Sequence, residues 1–368
     1  METPASAHQA AAILAQGRVT RPVGGATKLS WGAIGTSPEV ELSTERLNRL
    51  VEHNEGDFTA VLEAGVRLSE AQAVFARAGQ RLSLDPPDPD GRATIGGVLA
   101  TSDSGPLRHR FGGARDLVLG IQVALPDGTV ARAGSRVIKN VAGYDLAKLM
   151  CGALGTLGVI CEVIVRLHPE PAGTVTVVGR GDRAGALARA ASAARRRAFE
   201  LEALDIAWDD GSGAVLARAA GRASETIAES VSGVLSEHGL ECELVEDDEG
   251  VWAEQRARQR APEGGAIARV SSPAAGLERL LAAAPRTVAR AGAGLAWVAI
   301  EPAPAALVGL RHALAPWPCV LLDAPESLRA EVDPWGVGDT PEAALMERVK
   351  LRFDPGRVCN PGRYVRGL

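Results

Sequence analysis

Two adjacent glycines flanked by small residues form the first segment that can do chemistry. The segment reads ArgProValGlyGlyAlaThrLys at 21–28. Because glycine has no β-carbon, consecutive backbone N–H groups can converge on an anion there, and a pyrophosphate suits such a nest. An ordinary tight turn is the alternative that this segment alone leaves open.

Two further segments are rich in glycine and small residues. Residues 85–106 begin with a rigid AspProProAspPro turn, continue through ThrIleGlyGly and end in SerGlyPro. LysAsnValAlaGlyTyrAspLeuAlaLysLeu (139–149) runs into GlyAlaLeuGlyThrLeuGlyValIle (152–160). Small side chains make a poor core element but let a flat ligand approach the backbone. A glycine-rich surface loop would be a sufficient explanation for one such segment, but it does not readily account for three separate segments.

The glycines at 152–158 do not form a dinucleotide fingerprint. Their spacing is G-x-x-G-x-x-G, and they precede an apolar run instead of following one. Both features argue against a Rossmann phosphate turn.

Lysine is rare in this chain, which has four lysines among 40 basic residues. Lys28, Lys139 and Lys148 lie in the glycine-rich segments, and Lys350 does not. A compact ammonium suits places where a broad guanidinium does not fit. Chance clustering remains the alternative.

The elements that would position these segments are short strands separated by glycine turns. Apolar runs at 58–65, 117–124 and 157–165 predict strands. LeuProAspGlyThrVal (125–130) predicts a hairpin, since Asp-Gly readily adopts positive φ. Short helices are predicted at 5–15, 68–78 and 144–151.

HisProGluProAlaGly (168–173) is the best candidate for a domain boundary. Beyond it, alanine- and arginine-rich helices alternate with strands, and helices able to cover one face of a sheet predict an α+β sandwich. The predicted helices are 183–197, 222–238, 249–260, 274–284, 303–314 and 341–352. The predicted strands are 199–207, 213–219, 240–245, 266–271, 294–301 and 318–323.

Composition limits the function classes. The 46% hydrophobic and 23% charged residues are typical of a globular protein, and the net charge of −5 without a basic stripe gives a nucleic-acid partner little support. No apolar run is long enough to predict a signal peptide or a membrane helix. Five scattered cysteines without a CxxC pair predict reduced thiols, no zinc site and a cytoplasmic location.

Seven motifs in a fixed order resemble those of flavoproteins like vanillyl-alcohol oxidase, whose FAD-binding domain is of the PCMH type. Within this superfamily the chain is most similar to FAD-binding subunits of bacterial glycolate oxidases. The motifs are the segments at 21–28, 94–106, 111–116, 125–128, 139–149, 155–160 and 353–363.

The resemblance implies an α+β chain with three parts. Residues 1–170 would form a two-part PCMH-type FAD-binding domain, and 173–340 a smaller, ferredoxin-like α+β sandwich cap. Residues 341–368 would return to the FAD domain. The implied FAD-binding residues are Val23, Gly24, Gly25, Ala26, Thr27, Pro86, Thr94, Ile95, Gly96, Gly97, Thr101, Ser104, Gly105, Ile160 and Asn360.

Several positions depart from the family pattern. Ala26 stands where covalent members carry a flavin-linking histidine, so non-covalent FAD is expected. Val98 replaces a frequent Asn, Ser104 a usual Gly, and Leu154 a Glu common in stand-alone hydroxy-acid dehydrogenases. Those dehydrogenases also carry a histidine-rich metal motif in the cap, whereas this cap has only His238 and His312, so no metal is expected.

The implied reaction is oxidation of glycolate or a similar 2-hydroxy acid, which needs a base, a cation for the carboxylate and the flavin as hydride acceptor. Three hypotheses remain: a subunit of a glycolate oxidase-like complex, a self-sufficient dehydrogenase, and a scaffold without flavin. The complex would include a longer FAD-binding homologue and an iron–sulfur subunit, and partners would allow peripheral membrane association. The candidates for catalysis are Arg108, His109, Arg110, Tyr144 and Lys148, each with a structural alternative.

Overall fold

The computed structural model describes residues 1–135, 145–197 and 199–368. Mixed helices and antiparallel sheets form an α+β fold, as the sequence predicted. Tyr144 and Lys139, together with the start of the predicted helix 144–151, lie outside the described residues. No helix among the described residues is both long and apolar enough to cross a membrane.

The N-terminal half is built on a five-stranded antiparallel sheet with the order β3-β4-β8-β6-β7. Its core includes Leu62, Phe75, Ile95 and Leu99, all fully buried. A parallel pair, β1-β2, and a short antiparallel pair, β5-β9, flank the sheet. The strands are β1 Thr20–Val23, β2 Val40–Ser43, β3 Leu50–Asn54, β4 Thr59–Glu63, β5 Gln80–Arg81, β6 Val118–Ala124, β7 Val130–Gly134, β8 Val159–Arg166 and β9 His168–Pro169.

The helices of this half are short. They are α1 Ala7–Leu14, α2 Leu68–Arg77, α3 Ile95–Thr101, α4 Arg108–Phe111, α5 Ala114–Leu117 and α6 Leu146–Met150. The predicted hairpin at 125–130 is confirmed. Leu125 N–H donates to the Thr129 carbonyl at 2.9 Å, and Gly128 takes φ +86° between β6 and β7.

Residues from Thr174 onward form an eight-stranded antiparallel sheet with the order β13-β10-β12-β11-β15-β16-β14-β17. The strands are β10 Thr174–Gly181, β11 Leu201–Asp209, β12 Ser212–Ala220, β13 Glu241–Val245, β14 Ala266–Ser271, β15 Arg286–Arg290, β16 Leu295–Ile300 and β17 Cys319–Asp323. The helices are α7 Ala184–Arg196, α8 Ser224–Glu237, α9 Glu249–Ala257, α10 Leu277–Ala283, α11 Pro304–Leu314, α12 Glu326–Glu331 and α13 Pro341–Phe353.

The two faces of the large sheet are covered differently. One face packs under α7, α8, α10 and α11. Helix α9 is a correction to the expectation that the helices cover one face. Its Trp252 packs with Val178, Ala203 and Leu216, which lie on the opposite face. The same opposite face also buries Trp31, which comes from the N-terminal half. That face therefore meets the glycine-rich segments.

The C-terminal tail returns to the N-terminal half, as the resemblance implied. Thr20 N–H donates to the Val358 carbonyl at 2.8 Å, and Asn360 N–H donates to the Thr20 carbonyl at 2.9 Å. Val358 and Cys359 pack with α1 residues such as Leu14. The tail thereby becomes a neighbour of β1 and of the loop that follows it.

Candidate FAD-binding cleft

A cleft lies where the three predicted glycine-rich segments and the C-terminal tail meet, and the empty space between its walls, including the part open to solvent, is about 940 Å³. Most of the residues that the resemblance implied line it, namely Val23, Gly24, Gly25, Ala26, Thr27, Thr94, Gly96, Gly97, Thr101, Ile160 and Asn360.

Four implied residues lie beside the cleft instead of lining it. Ile95 is fully buried in the core of the N-terminal half, and its side chain faces that core because α3 packs there. Ser104 and Gly105 are buried where the N-terminal half meets the large sheet, and Pro86 is also buried. Gly105 offers its carbonyl to Arg290 Nε at 2.7 Å.

The loop after β1 presents free backbone donors. Within the described residues, no protein atom accepts a hydrogen bond from the backbone N–H groups of Gly24, Gly25, Ala26 or Thr27. Ala26 takes the left-handed conformation at φ +58°. Consecutive free N–H groups around a left-handed residue form an anion-binding nest, so these residues fit a phosphate group.

Only glycine fits at positions 24 and 25, because residues 92–94 occupy the space that a β-carbon would need. A β-carbon at Gly25 would lie 1.7 Å from the Arg92 carbonyl oxygen, and one at Gly24 would lie 2.3 Å from Thr94 Oγ1. The β-carbon directions therefore point at residues 92–94. Because Gly24 and Gly25 have no side chain, the loop 24–27 and residues 92–94 can be in direct contact.

The opposite wall is the N-terminus of α3. Thr94 caps this helix through its Oγ1, which accepts from Gly97 N–H at 3.3 Å. Ile95 N–H donates to Val66 O and Gly96 N–H to Ala64 O. Because these backbone N–H groups already have acceptors, the wall formed by α3 can only pack closely against a ligand. The loop 24–27 supplies the backbone N–H groups that are free to donate hydrogen bonds.

Turns rich in glycine also close the third side. Gly155 and Gly158 line the cleft with φ +71° and +155°, values that favour glycine. Ile160 follows them in β8, which pairs antiparallel with β4 and β6. An antiparallel strand after the glycines confirms that 152–158 is no Rossmann turn.

A buried ion pair holds the tail against the cleft. Lys350 Nζ donates to Asp354 Oδ2 at 2.6 Å, to Thr156 O at 2.6 Å and to Cys359 O at 2.8 Å. Asp354 in turn accepts from the backbone N–H groups of Val358 and Cys359. These bonds fix the turn that carries Asn360, whose Nδ2 donates to Leu154 O at 2.8 Å.

Lys28 is a second buried lysine with an aspartate partner. Its Nζ lies 3.1 Å from Asp103 Oδ2, and both side chains are almost completely buried. The pair joins the loop after β1 to the loop after α3. Lys148 differs, because it forms an exposed pair with Asp145. The prediction from lysine scarcity is therefore confirmed for Lys28 and wrong for Lys148.

Residues from the half of the chain that forms the large sheet also contact the loop 24–27. Arg260 donates to Asp323 and, through Nη2, to the Thr27 carbonyl at 3.1 Å. Asp323 also accepts from Trp31 Nε1 at 2.8 Å. The position of the loop thus depends on residues more than 200 positions away in sequence.

A polar cluster fills the junction between Asp85 and the large sheet. Arg290 is fully buried, and Asp205 accepts from Gln255 Nε2 at 3.1 Å. Both carboxylates lie close enough to stabilise the charge of Arg290, whose pKa is nevertheless lowered by burial. Burial also raises the pKa of Asp85 to about 7, against the opposing effect of Arg290.

Asp85 predicts a pH dependence of stability. Its folded pKa of about 7 is above the unfolded value of about 3.9, so its stabilising contribution is complete below pH 4 and is lost as the pH rises through 7. Asp85→Asn should therefore flatten the fall in unfolding free energy between about pH 4 and 7, measured by urea denaturation at each pH. Asp90→Asn, at an exposed carboxylate of the same loop, is the control. A difference between wild type and Asp85→Asn that stays constant with pH would contradict this assignment.

The catalytic candidates separate into different environments. Arg110 lies on the surface, 3.9 Å from Glu200, and Lys148 has the exposed pair described above. Arg108 and His109 belong to α4, next to the large sheet. Burial, reinforced by Arg110, lowers the pKa of His109, and its buried Nδ1 has no hydrogen-bond partner in the described chain.

Sequence reasoning missed three residues near the cleft. Burial lowers the pKa of Arg269 in β14 and raises the pKa of Tyr364 in the tail, and each residue opposes the shift of the other. Arg363 lines the cleft itself. Arg363 follows directly on the NPG motif, a signal that could have identified it. No comparable sequence motif marks Arg269, because only the topology of the large sheet brings β14 close to the N-terminal half.

Comparisons with known proteins match the N-terminal part of the chain in sequence. Residues 3–134 match the family model described as FAD binding domain. Glycolate oxidase subunit GlcD of Bacillus subtilis is 33% identical over 195 residues, covering 50% of this chain and 40% of that protein. D-lactate dehydrogenase of Archaeoglobus fulgidus is 37% identical over 147 residues, covering 40% of this chain and 32% of that protein.

A solved structure extends the fold comparison to the whole chain. Alkyldihydroxyacetonephosphate synthase superposes on 98% of this chain and 76% of its own, with a TM-score of 0.70 and 15% identity. This shows a shared fold. The matching stretches cover less than half of each of the two curated relatives above. The cofactor of the N-terminal half is FAD.

Proposed function

We propose that this chain is the FAD-binding subunit of a glycolate oxidase-like complex. The complex would oxidise glycolate, or a similar small 2-hydroxy acid, to the 2-oxo acid and pass the electrons on through an iron–sulfur subunit. A longer FAD-binding homologue would be the main site of oxidation. The names of the relatives above, a glycolate oxidase subunit and a D-lactate dehydrogenase, support this reaction class.

The observation that carries the proposal is the cleft built from four separate segments of the chain. The free N–H groups of residues 24–27 would bind the FAD diphosphate, and the wall at Thr94–Gly97 would pack against it. Asn360 would approach the flavin ring from the tail. FAD supplies the hydride acceptor when bound. Ala26 offers no nucleophile for a covalent link, so the attachment would be non-covalent.

One observation favours the self-sufficient dehydrogenase as a second candidate. Arg269 projects from the face of the large sheet that meets the N-terminal half, and its guanidinium makes no hydrogen bond or ion pair within the described residues. Burial lowers the pKa of Arg269, against the opposing effect of Asp103, the partner of Lys28. A free guanidinium beside a flavin site can hold a substrate carboxylate. His109, kept neutral by its lowered pKa, would then be the candidate base.

Anaerobic mixing with glycolate separates the two candidates. We expect the purified chain to hold FAD but to bleach only slowly, as followed by the flavin absorbance in a stopped-flow instrument. Co-expression with a longer flavoprotein homologue and an iron–sulfur subunit should yield a stable complex with rapid turnover.

Rapid bleaching of the lone chain would contradict the subunit proposal and favour the dehydrogenase. In that case Arg269→Met should raise the KM for glycolate at least tenfold, as expected for the loss of a charged hydrogen bond worth about 1.5–3 kcal/mol. Arg286→Met, at an exposed arginine of β15, is the matched control.

A further inference from the structure

Two arginines line the cleft, and a third arginine lies close to one of them. Arg21 lies in β1, Arg329 in α12 and Arg363 in the C-terminal tail. Arg21 and Arg363 line the cleft together with the loop 24–27. Burial lowers the pKa of Arg363, and Arg329 and Arg21 lower it further, so both of these charges lie close to Arg363.

Arg363 is buried with few partners. Only 8% of the residue is exposed, and its Nη1 donates to the Ala33 carbonyl at 3.2 Å. A guanidinium has five N–H donors, so most of its donors have no protein acceptor in the described chain. Burial and the two neighbouring arginines lower its pKa to about 10. The side chain therefore still carries its full charge at neutral pH.

The charges of this cluster do not balance. Arg21 pairs with Glu41, but across the described residues Arg329 and Arg363 have no carboxylate partner. The Nε atoms of Arg21 and Arg329 are buried without hydrogen bonds. Unpaired buried charges are costly, and an anionic ligand in the cleft would compensate for them.

We propose that Arg363, supported by Arg21 and Arg329, is the cation that binds the diphosphate of FAD. The loop 24–27 offers only neutral N–H donors, whereas a diphosphate is negatively charged at each phosphate. The excess positive charge of the cluster complements it, and the planar fork of Arg363 suits phosphate oxygens. This inference rests on the proposed location of FAD in the cleft.

Isothermal titration with ADP, adenosine and riboflavin tests the inference on flavin-free protein. Arg363→Met should weaken ADP binding about 10- to 100-fold, the range for a hydrogen bond to a charged group. It should change the affinities for adenosine and riboflavin less than about twofold. Arg363→Lys keeps the positive charge but loses the planar guanidinium group, so it should recover part of the ADP affinity. Arg366→Met is the matched control, since Arg366 lies three residues further along the tail in an exposed pair with Asp339.

The melting temperature of the flavin-free protein gives an independent readout. Arg363→Met should melt at the same temperature as wild type or higher, because it removes an unpaired buried charge beside two like charges. An unfolded Arg363→Met protein would overturn the inference by showing a structural role, and so would unchanged ADP affinity or a loss confined to riboflavin. A wild-type protein that binds neither FAD nor ADP would instead refute the cofactor site as a whole.

Discussion

Gly25→Val should abolish FAD binding. A β-carbon at this position would lie 1.7 Å from the Arg92 carbonyl oxygen and 2.7 Å from its carbonyl carbon. That backbone cannot easily move, because Asp88 accepts hydrogen bonds from the N–H groups of Arg92 and Ala93. The loop 24–27 would have to shift, and its free N–H groups would no longer converge. Titration of the flavin-free variant with FAD, followed by fluorescence quenching, measures the loss.

A second variant and a control variant test whether the loss of FAD binding is specific to the loop 24–27. Gly24→Val should have the same effect, because its β-carbon would meet Thr94 Oγ1, the cap of α3. Gly338→Val is the control, since nothing lies within 4 Å of a β-carbon at that exposed glycine. The circular dichroism of all three variants should stay close to that of wild type. Near wild-type FAD affinity in Gly25→Val would show that this loop is not the phosphate site.

Lys350→Met should lower the free energy of unfolding by about 3–5 kcal/mol, the usual cost of leaving one partner of a buried ion pair alone. The Lys350 and Asp354 side chains are only 2% and 0% exposed. The change removes three hydrogen bonds, including the one that Cys359 O accepts. FAD affinity should also fall, because the turn that carries Asn360 loses its anchor. Urea denaturation measures the stability.

Lys148→Met is the control for this prediction. Lys148 and Asp145 form a pair with about half of each side chain exposed, and such surface pairs contribute about 0–1 kcal/mol. A loss below 1 kcal/mol for Lys350→Met would mean that the buried pair does not hold the tail.

Local signals in the sequence predicted the walls of the cleft. Gly155, Gly158, Gly128 of the Asp-Gly hairpin and Gly362 of the NPG tail have positive φ values, which few other residue types adopt, so these residue types predict the local backbone. The reason given for Gly24 and Gly25 was incomplete, however. The sequence suggested close approach of an anion, whereas the structure shows close approach of residues 92–94.

Long-range contacts could not be predicted in this way. Helix α9 packs on the unexpected face because Trp252 and Gln255 contact Thr176 and Asp205, and nothing in the periodicity of α9 specifies those strands. Strand β15, which carries Arg290, was missed as well. The cations near the cleft, Arg269 and Arg363, come from the sheet and the tail, and only the tertiary fold brings them together.

Flavin analysis of the purified chain tests the central claim most directly. We expect a yellow protein with a flavin absorption spectrum and about one FAD per chain. Acid precipitation should release all of the flavin into the supernatant as FAD, because Ala26 cannot form a covalent link. A colourless protein that does not take up added FAD, or a flavin that remains with the denatured polypeptide, would contradict the account of a non-covalent FAD site in this cleft.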